Sequence, residues 1–259
     1  MVNVVVAGAT GKLGKMVCDL IVASDDLKLV GAIVSAEGGN AGKELYPGVK
    51  AVTSSELDTI MEGVDVYVDL TTPDAASSII DRIPGYGAAV VLGTTAVDTA
   101  TLERMKAQIS KNSTSGLIAS NFSLGVNAFY RVCELMARML SDYDIELIEA
   151  HHNKKKDAPS GTASELLERL QNATGIEDVV RGRDGITGPR GREIGVHAVR
   201  AGDIVGDHTV IFAGNMERIE LKHSALSREV FAIGCVRAIR WIAGRSDGLV
   251  HSMEEVLEV

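Results

Sequence analysis

The chain has 259 residues, which is enough to bury a sizeable core in one large domain or two smaller ones. Its 46% hydrophobic and 24% charged residues are ordinary for a globular protein, and no apolar run approaches the ~18 residues of a membrane-spanning helix. The formal net charge of −9 argues against a protein that coats nucleic acid, so we expect neither a nucleic-acid nor a membrane partner.

The chain begins with an apolar run at residues 2–7, which predicts a strand buried on both faces rather than a signal peptide. A glycine turn containing Gly8, Gly11 and Gly14 follows, and a helical pattern comes next. Gly8 permits a tight turn, Gly11 lets the backbone approach a pyrophosphate, and Gly14 allows close helix–strand packing. The spacing is GxxGxxG rather than the more common GxGxxG, but the strand–turn–helix order predicts a dinucleotide site.

A second strand is predicted at residues 27–34, where a dinucleotide-binding fold selects between NADH and NADPH. Ser35 and Ala36 follow this strand, the nearest acid is Glu37, and no arginine is close. A serine can hydrogen-bond either a ribose hydroxyl or a 2′-phosphate, so the sequence leaves both cofactors open.

Further strands are predicted at residues 64–70, 88–92 and 117–119, separated by helical patterns. This alternation predicts a doubly wound parallel sheet with its ligand beyond the strand ends. The strand ends carry small and hydroxyl residues, which we expect to line one cleft for the nicotinamide and its ribose, although each could also be a simple helix cap. These residues are Thr71, Thr72, Gly93, Thr94, Thr95, Ser120 and Asn121.

The pattern changes from Gly125 onwards. A long amphipathic helix is predicted at residues 126–140, and the stretch after residue 172 is polar and rich in glycine and arginine. Three strands separated by turn residues then predict a mixed or antiparallel sheet, and a helix at residues 228–243 returns to the first domain. We therefore predict an α/β fold with a dinucleotide-binding domain (1–122 with 229–259) and an α+β domain for substrate binding and oligomerisation (123–228).

The loop between residues 149 and 162 concentrates acid–base chemistry. It contains two adjacent histidines, His151 and His152, three lysines at residues 154–156, and a Ser-Gly-Thr helix start. Histidine titrates near neutrality, lysine can hold an anion or deliver a proton, and a helix N-terminus favours negative charge. The loop predicts acid–base work on an anionic substrate, although lysine runs are often solvated and paired histidines are often structural.

The remaining histidines and the cysteines carry no predicted chemistry. The histidines at 197, 208, 223 and 251 lack metal-ligand spacing, so we expect them to be structural or solvent-facing, with no metal site. The three cysteines form no CxxC pair, which favours buried thiols in a reducing cytoplasm.

The loop from Glu149 to Ala163 also resembles the dihydrodipicolinate reductase family, whose motif runs Glu-x-His-His-x-x-Lys-x-Asp-Ala-Pro-Ser-Gly-Thr-Ala. The resemblance extends over nearly the whole chain, through the glycine turn, residues 93–95 and 121–127, and the Arg-Ala-Gly-Asp stretch from Arg200. It implies a Rossmann-type domain, a substrate domain with a mixed sheet, a homotetramer, and reduction of a small dicarboxylate by NADPH or NADH in lysine biosynthesis.

The resemblance also implies roles for individual residues. His151 corresponds to a proton donor or acceptor and Lys155 to a proton donor, while His152, Gly161 and Thr162 correspond to substrate-binding positions. The implied dinucleotide contacts are Gly8, Ala9, Thr10, Gly11, Lys12, Leu13, Gly93, Thr94, Thr95, Ala119, Ser120, Asn121 and Phe122, to which Ser35 is added at the ribose position. Members of the family often carry an acid followed by Arg where this chain has Ser35-Ala36, which bears on cofactor preference.

Three other kinds of protein share parts of this pattern. A nucleotide-sensing regulator would bind a dinucleotide without turnover, and would not need the His/Lys loop. A structural oligomer with a vestigial cofactor fold would not need the three glycines of the first turn. An aspartate dehydrogenase shares the general fold but does not need the loop motif.

Overall fold

The computed structural model describes residues 1–257, which fall into two compact units. Unit 1 comprises the chain up to Leu124 and from Glu229 onwards, and unit 2 comprises Gly125–Arg228. No helix within residues 1–257 is long and apolar enough to cross a membrane.

Strands and helices alternate through most of the chain. The strands are β1 (Val2–Ala7), β2 (Leu27–Ile33), β3 (Glu44–Tyr46), β4 (Val49–Val52), β5 (Val66–Asp69), β6 (Ala89–Leu92), β7 (Gly116–Ile118), β8 (Asp144–His151), β9 (Val179–Arg181), β10 (Ile194–Arg200), β11 (Gly206–Gly214), β12 (Glu217–Ala225) and β13 (Val250–His251). The helices are α1 (Lys12–Val22), α2 (Pro73–Ser77), α3 (Thr99–Asn112), α4 (Leu124–Met139), α5 (Gly161–Thr174), α6 (Glu229–Ile242) and α7 (Met253–Val256).

Unit 1 is built on an eight-stranded sheet in the order β13-β7-β6-β5-β1-β2-β4-β3, and every pair except β3–β4 is parallel. Successive side chains of a strand point to opposite faces. Val4 and Val6 of β1 pack in one cluster with α1 and α6, whereas Val5 and Ala7 pack in another with α3. Because both faces are covered, the central strands are continuously apolar, as the sequence predicted.

Unit 2 contains a five-stranded sheet in the order β12-β11-β8-β10-β9. Strands β8, β10 and β9 are parallel to one another, and β11 runs antiparallel to both β8 and β12. Alternate residues of β8, including Ile145 and Leu147, are buried with side chains of α4 and α5. The doubly wound parallel sheet and the second, mixed sheet confirm the predicted fold class.

The predicted elements are present with small boundary shifts, and three features were missed. The β3–β4 hairpin and the short strands β9 and β13 were not predicted. Ion pairs hold the arginine-rich stretch after residue 180 against β8. Arg183 and Arg190 both contact Glu146, and Arg190 also contacts Asp144.

Candidate active site

The glycine turn of unit 1 has the geometry of a phosphate-binding turn. Gly8 has φ +79, and a Cβ there would lie 2.3 Å from the carbonyl oxygen of Leu70. A Cβ on Gly14 would lie 2.1 Å from the Gly8 carbonyl oxygen, so α1 can pack this close to the turn only with a glycine at position 14. Gly11 caps α1 without any side-chain hydrogen bond, which leaves the first N–H groups of the helix for an anion.

The strand ends that carry the other predicted dinucleotide contacts lie at one edge of the sheet. Ala7 pairs with Asp69 across β1 and β5, Asp69 pairs with Leu92 of β6, and Leu92 pairs with Ile118 of β7. The residues that follow these four positions therefore leave the sheet side by side. This register brings together the turns at residues 8–13, 93–95 and 119–122.

The predicted contacts differ in how they can reach a ligand. Thr10, Gly11, Lys12, Ser35, Thr95 and Ser120 are exposed, Gly8, Leu13, Gly93 and Asn121 are half-buried, and Ala9, Thr94, Ala119 and Phe122 are buried. The ring of Phe122 packs against Gly93, where a Cβ would lie 2.5 Å from Cε2. Phe122 thus holds the Gly93 turn in place, and its side chain belongs to the core of unit 1.

Asp69 is a fully buried carboxylate that sequence reasoning did not single out. It accepts hydrogen bonds from the hydroxyls of Thr71 at 2.6 Å, Thr94 at 2.7 Å and Tyr67 at 3.0 Å. It also accepts the Thr71 backbone N–H at 3.1 Å. The carboxylate thereby fixes the turns that follow β5 and β6.

In unit 2, the histidine loop joins the end of β8 to the start of α5. Ser160 is the N-cap of α5, and its Oγ accepts the Ala163 backbone N–H at 3.2 Å. Gly161 begins the helix in an exposed position, with open space where a Cβ would lie, and Thr162 is half-buried. The start of this 14-residue helix is therefore accessible to an anion.

His151 is the last residue of β8 and is buried, with its Nδ1 2.6 Å from Glu149 Oε2. None of the hydrogen bonds found within residues 1–257 involves its Nε2. A Cβ on Gly206, at the start of β11, would lie 3.0 Å from this Nε2, so the glycine keeps space beside it. Burial lowers the pKa of His151 despite the opposing effect of Glu149.

Glu149 is completely buried and binds three groups. Arg200 reaches both carboxylate oxygens, each at 2.8 Å, and the Ser160 backbone N–H donates to Oε1 at 3.1 Å. Although burial alone would raise the pKa of Glu149, the hydrogen bonds from Arg200 and His151 lower it below its usual value.

The three lysines of the loop are not equivalent. Lys154 and Lys156 are exposed, whereas Lys155 is half-buried and its Nζ lies 2.9 Å from Asp157 Oδ2. His152 Nε2 lies 3.2 Å from the Arg228 guanidinium, and its buried Nδ1 has no hydrogen-bond partner among residues 1–257.

His208 lies beside His151, a contact that no sequence pattern predicts. It is buried, its ring contacts the His151 ring edge-on with centroids 5.3 Å apart, and its Nε2 lies 3.1 Å from Ser160 Oγ. Burial, with a smaller effect of His151, lowers its pKa to about 4. No group of side chains in the described part of the chain could hold a metal ion.

A doubly wound sheet with a glycine turn after its first strand, accompanied by a second unit carrying a buried acid–base cluster, defines a Rossmann-type nicotinamide-dependent oxidoreductase. The sequence family described as dihydrodipicolinate reductase, N-terminus, matches residues 2–122, and its C-terminus counterpart matches residues 125–257. The chain therefore belongs to the dihydrodipicolinate reductase family, whose members reduce their substrate with NAD(P)H in the diaminopimelate route to lysine.

Individual relatives agree with this assignment. The chain is 42% identical over 263 residues to 4-hydroxy-tetrahydrodipicolinate reductase of Methanosarcina mazei, covering 99% of both chains. It is 43% identical to the enzyme of the same name from Methanoculleus marisnigri, again over 99% of both chains. A solved dipicolinate-bound dihydrodipicolinate reductase from Paenisporosarcina shares the fold, with a TM-score of 0.83 and 24% identity over 98% of this chain and 99% of that one.

Proposed function

We propose that this chain reduces 4-hydroxy-tetrahydrodipicolinate, or the dihydrodipicolinate formed by loss of water from it, to tetrahydrodipicolinate with NADPH or NADH. The observation that carries the proposal is His151. Its Nδ1 is bound to a buried carboxylate, none of the hydrogen bonds among the described residues involves its Nε2, and Lys155 follows in the same loop. Family membership and full-length relatives of that name support the choice of substrate.

The dinucleotide is assigned to the glycine turn and strand ends of unit 1. Its pyrophosphate would be held by the first N–H groups of α1, and its nicotinamide ribose by the turns after β6 and β7. The proposed contacts are Gly8, Ala9, Thr10, Gly11, Lys12, Leu13, Ser35, Gly93, Thr94, Thr95, Ala119, Ser120, Asn121 and Phe122, with backbone groups acting where side chains are buried. When bound, the reduced nicotinamide supplies a hydride to C4 of the substrate ring.

The substrate's carboxylates are assigned to the start of α5 and the loop before it. Gly161 and Thr162 offer a helix N-terminus, and Lys155 and His152 offer donors and positive charge. The protein as a whole is acidic, with a formal net charge of −9. A dianionic substrate is therefore attracted to this local positive site and repelled by most of the remaining surface.

Proton transfer is assigned to the pair formed by His151 and Lys155. Addition of a hydride leaves negative charge on the conjugated ring system, and one proton from His151 or Lys155 neutralises it. Loss of such a donor typically lowers the rate by ~10²–10⁴-fold. The same groups could also assist the departure of water from the 4-hydroxy form.

We further propose that residues 1–122 with 229–259 form the dinucleotide-binding domain and residues 123–228 the substrate and oligomerisation domain of a homotetramer. Residues 218–224 of the edge strand β12 alternate between exposed and half-buried, and this incomplete burial supports a role of the second sheet in assembly. Three unpaired cysteines and the biosynthetic reaction support a cytoplasmic location. Light scattering coupled to size exclusion tests the assembly state.

The function is tested by following oxidation of NADPH and NADH, with substrate formed in situ from pyruvate and aspartate semialdehyde. We expect turnover by the wild type and a loss of ~10²–10⁴-fold in His151→Ala or Lys155→Ala. Lys156→Ala, which removes an exposed lysine from the same loop, is the matched control and should retain turnover. Dinucleotide binding without turnover by the wild type would instead support a sensor.

A further inference from the structure

The Glu149 carboxylate connects the two parts of the proposed acid–base site. It is completely buried and contacts His151, the catalytic histidine of the proposed function, through Oε2 at 2.6 Å. Its Oε1 accepts the backbone N–H of Ser160, the N-cap of the helix assigned to substrate. One side chain therefore fixes both the histidine and the helix start.

The contact with Glu149 determines which nitrogen of His151 faces outward. A carboxylate is a hydrogen-bond acceptor, so the nitrogen next to it carries the proton. Nδ1 is thus the donor to Glu149, and Nε2 is the nitrogen that can exchange a proton with a ligand. The absence of a side chain at Gly206 keeps space beside Nε2.

Arg200 supplies the charge that permits a buried carboxylate at this position. Both of its terminal nitrogens lie 2.8 Å from Glu149, a bidentate geometry that is strong and directional. The pairing follows from sheet register, because Arg200 of β10 lies opposite His151 of β8. Arg200 also donates to the Asp157 carbonyl at 2.7 Å, so the same guanidinium holds the histidine loop.

We propose that Glu149 and Arg200 are positioning residues: Glu149 holds His151 with Nε2 directed to substrate and secures the start of α5, while Arg200 balances the charge of Glu149. The proposal deepens the proposed function and rests on it for the role of His151. It assigns to Arg200 an electrostatic effect on His151 that is opposite in sign to that of Glu149.

The charged and titratable groups around His151 have opposing effects on its pKa. After burial, which lowers it, Glu149 raises the pKa, whereas Lys155 and Arg200 lower it. His208 of β11 contacts the ring edge-on, and Asp157 faces Lys155. Removing Glu149 and removing Arg200 should therefore move the His151 pKa in opposite directions, which a merely structural role would not produce.

The test is a pH titration of the His151 ring nitrogens by NMR in the full-length protein. In Glu149→Gln we expect the His151 pKa to fall, and in Arg200→Met we expect it to rise, each by on the order of one unit. Arg200→Lys, which keeps the charge without the bidentate contact, should shift the pKa upward by less than Arg200→Met. The kcat should fall ~10–100-fold in Glu149→Gln, with dinucleotide affinity retained.

The same strand offers a matched control. Glu146 accepts from His197 at 2.7 Å and from Arg190 at 3.2 Å, so it forms a similar cluster three positions earlier on β8. Glu146→Gln makes the same change of charge, and we expect it to leave the His151 titration and kcat unchanged.

The outcomes separate this proposal from the proposed function. Shifts of the His151 pKa in the same direction in the Glu149 and Arg200 variants, or no shift in either, would overturn the positioning proposal even if the wild type turns over. If Glu149→Gln does not fold, the Arg200 variants test the positioning proposal by themselves. The proposal then requires the His151 pKa to rise in Arg200→Met and to rise less in Arg200→Lys. Opposite shifts without wild-type turnover would instead leave the positioning in place and refute the reaction.

Discussion

Asp69 accepts a hydrogen bond from Thr94 Oγ1 at 2.7 Å, which joins the end of β5 to the turn after β6. The carboxylate is fully buried, and its donors within residues 1–257 are all neutral, namely the hydroxyls of Tyr67, Thr71 and Thr94 and one backbone N–H. The turns that it holds carry proposed contacts to the nicotinamide ribose. Asp69 is therefore expected to order the dinucleotide site without touching the dinucleotide.

Asp69→Asn tests this arrangement. An amide nitrogen in place of one oxygen faces hydroxyl donors, and leaving a buried donor without an acceptor costs ~1–3 kcal/mol. We expect lower thermal stability. We also expect a higher dissociation constant for NADPH, measured by calorimetric titration. Asp58→Asn is the control, because Asp58 is 71% exposed and its pair with Arg82 should contribute under about 1 kcal/mol. Unchanged NADPH affinity in a folded Asp69→Asn protein would contradict the ordering role.

The glycine turn allows a graded test of dinucleotide binding. Gly14→Ala should destabilise the protein severely, because its Cβ would lie 2.1 Å from the Gly8 carbonyl oxygen. In Gly11→Ala the new Cβ would lie 3.1 Å from the same oxygen, so this variant should fold. It should bind NADPH more weakly, because its methyl group lies at the phosphate-binding turn. Gly85→Ala, where a Cβ meets nothing within 4 Å, should leave both stability and affinity unchanged. Full affinity in Gly11→Ala would place the pyrophosphate elsewhere.

The burial of His208 should make the free energy of unfolding depend on pH. Its pKa in the folded protein is about 4, below the usual value of 6.5, because the ring is buried. The unfolded chain therefore binds the proton first, and stability falls as the pH decreases from about 6.5 to about 4. The shift corresponds to a loss of about 3 kcal/mol. Chemical denaturation of wild type and His208→Gln across this range should show a shallower decline in the variant, and parallel declines would contradict the assignment.

Gly206→Ala tests whether space beside His151 Nε2 is required. The new methyl carbon would lie 3.0 Å from Nε2 and 3.5 Å from Cδ2, which is close enough to displace a ligand or the ring. We expect kcat to fall by about tenfold or more, since small displacements of a proton-transfer group are costly. Circular dichroism and thermal unfolding serve as the controls for folding. Unchanged kcat would show that substrate does not use this side of His151.

The parts of the fold with local signals could be predicted from the sequence. The first strand and its glycine turn form one continuous pattern, and the turn requires glycine for steric reasons that the structure shows at Gly8 and Gly14. The β3–β4 hairpin does carry a local signal, since Pro47-Gly48 marks a turn and Gly48 has φ +75. Strands β9 and β13 have only three and two residues, too few to establish a hydrophobic period.

The contacts that organise the candidate site depend on tertiary structure. Glu149 and Arg200 lie 51 positions apart and meet through the parallel register of β8 and β10. His208 comes beside the histidine loop because β11 pairs antiparallel with β8, opposite Glu149. Asp69 ends an otherwise apolar strand, and nothing local in the sequence indicates that hydroxyls from two turns converge on it. The loop motif with Glu149 and the stretch beginning at Arg200 were visible in the sequence, but the contacts between them, and that of His208 with His151, were not.

Transfer of label from NADPH carrying deuterium at the reactive nicotinamide carbon tests the proposed hydride transfer most directly. The protein is supplied with freshly formed 4-hydroxy-tetrahydrodipicolinate, and the product is examined by mass spectrometry and NMR. We expect one deuterium at ring C4 of tetrahydrodipicolinate, with the transfer slowed strongly in His151→Ala. NADPH binding by the wild type without any labelled product would contradict it.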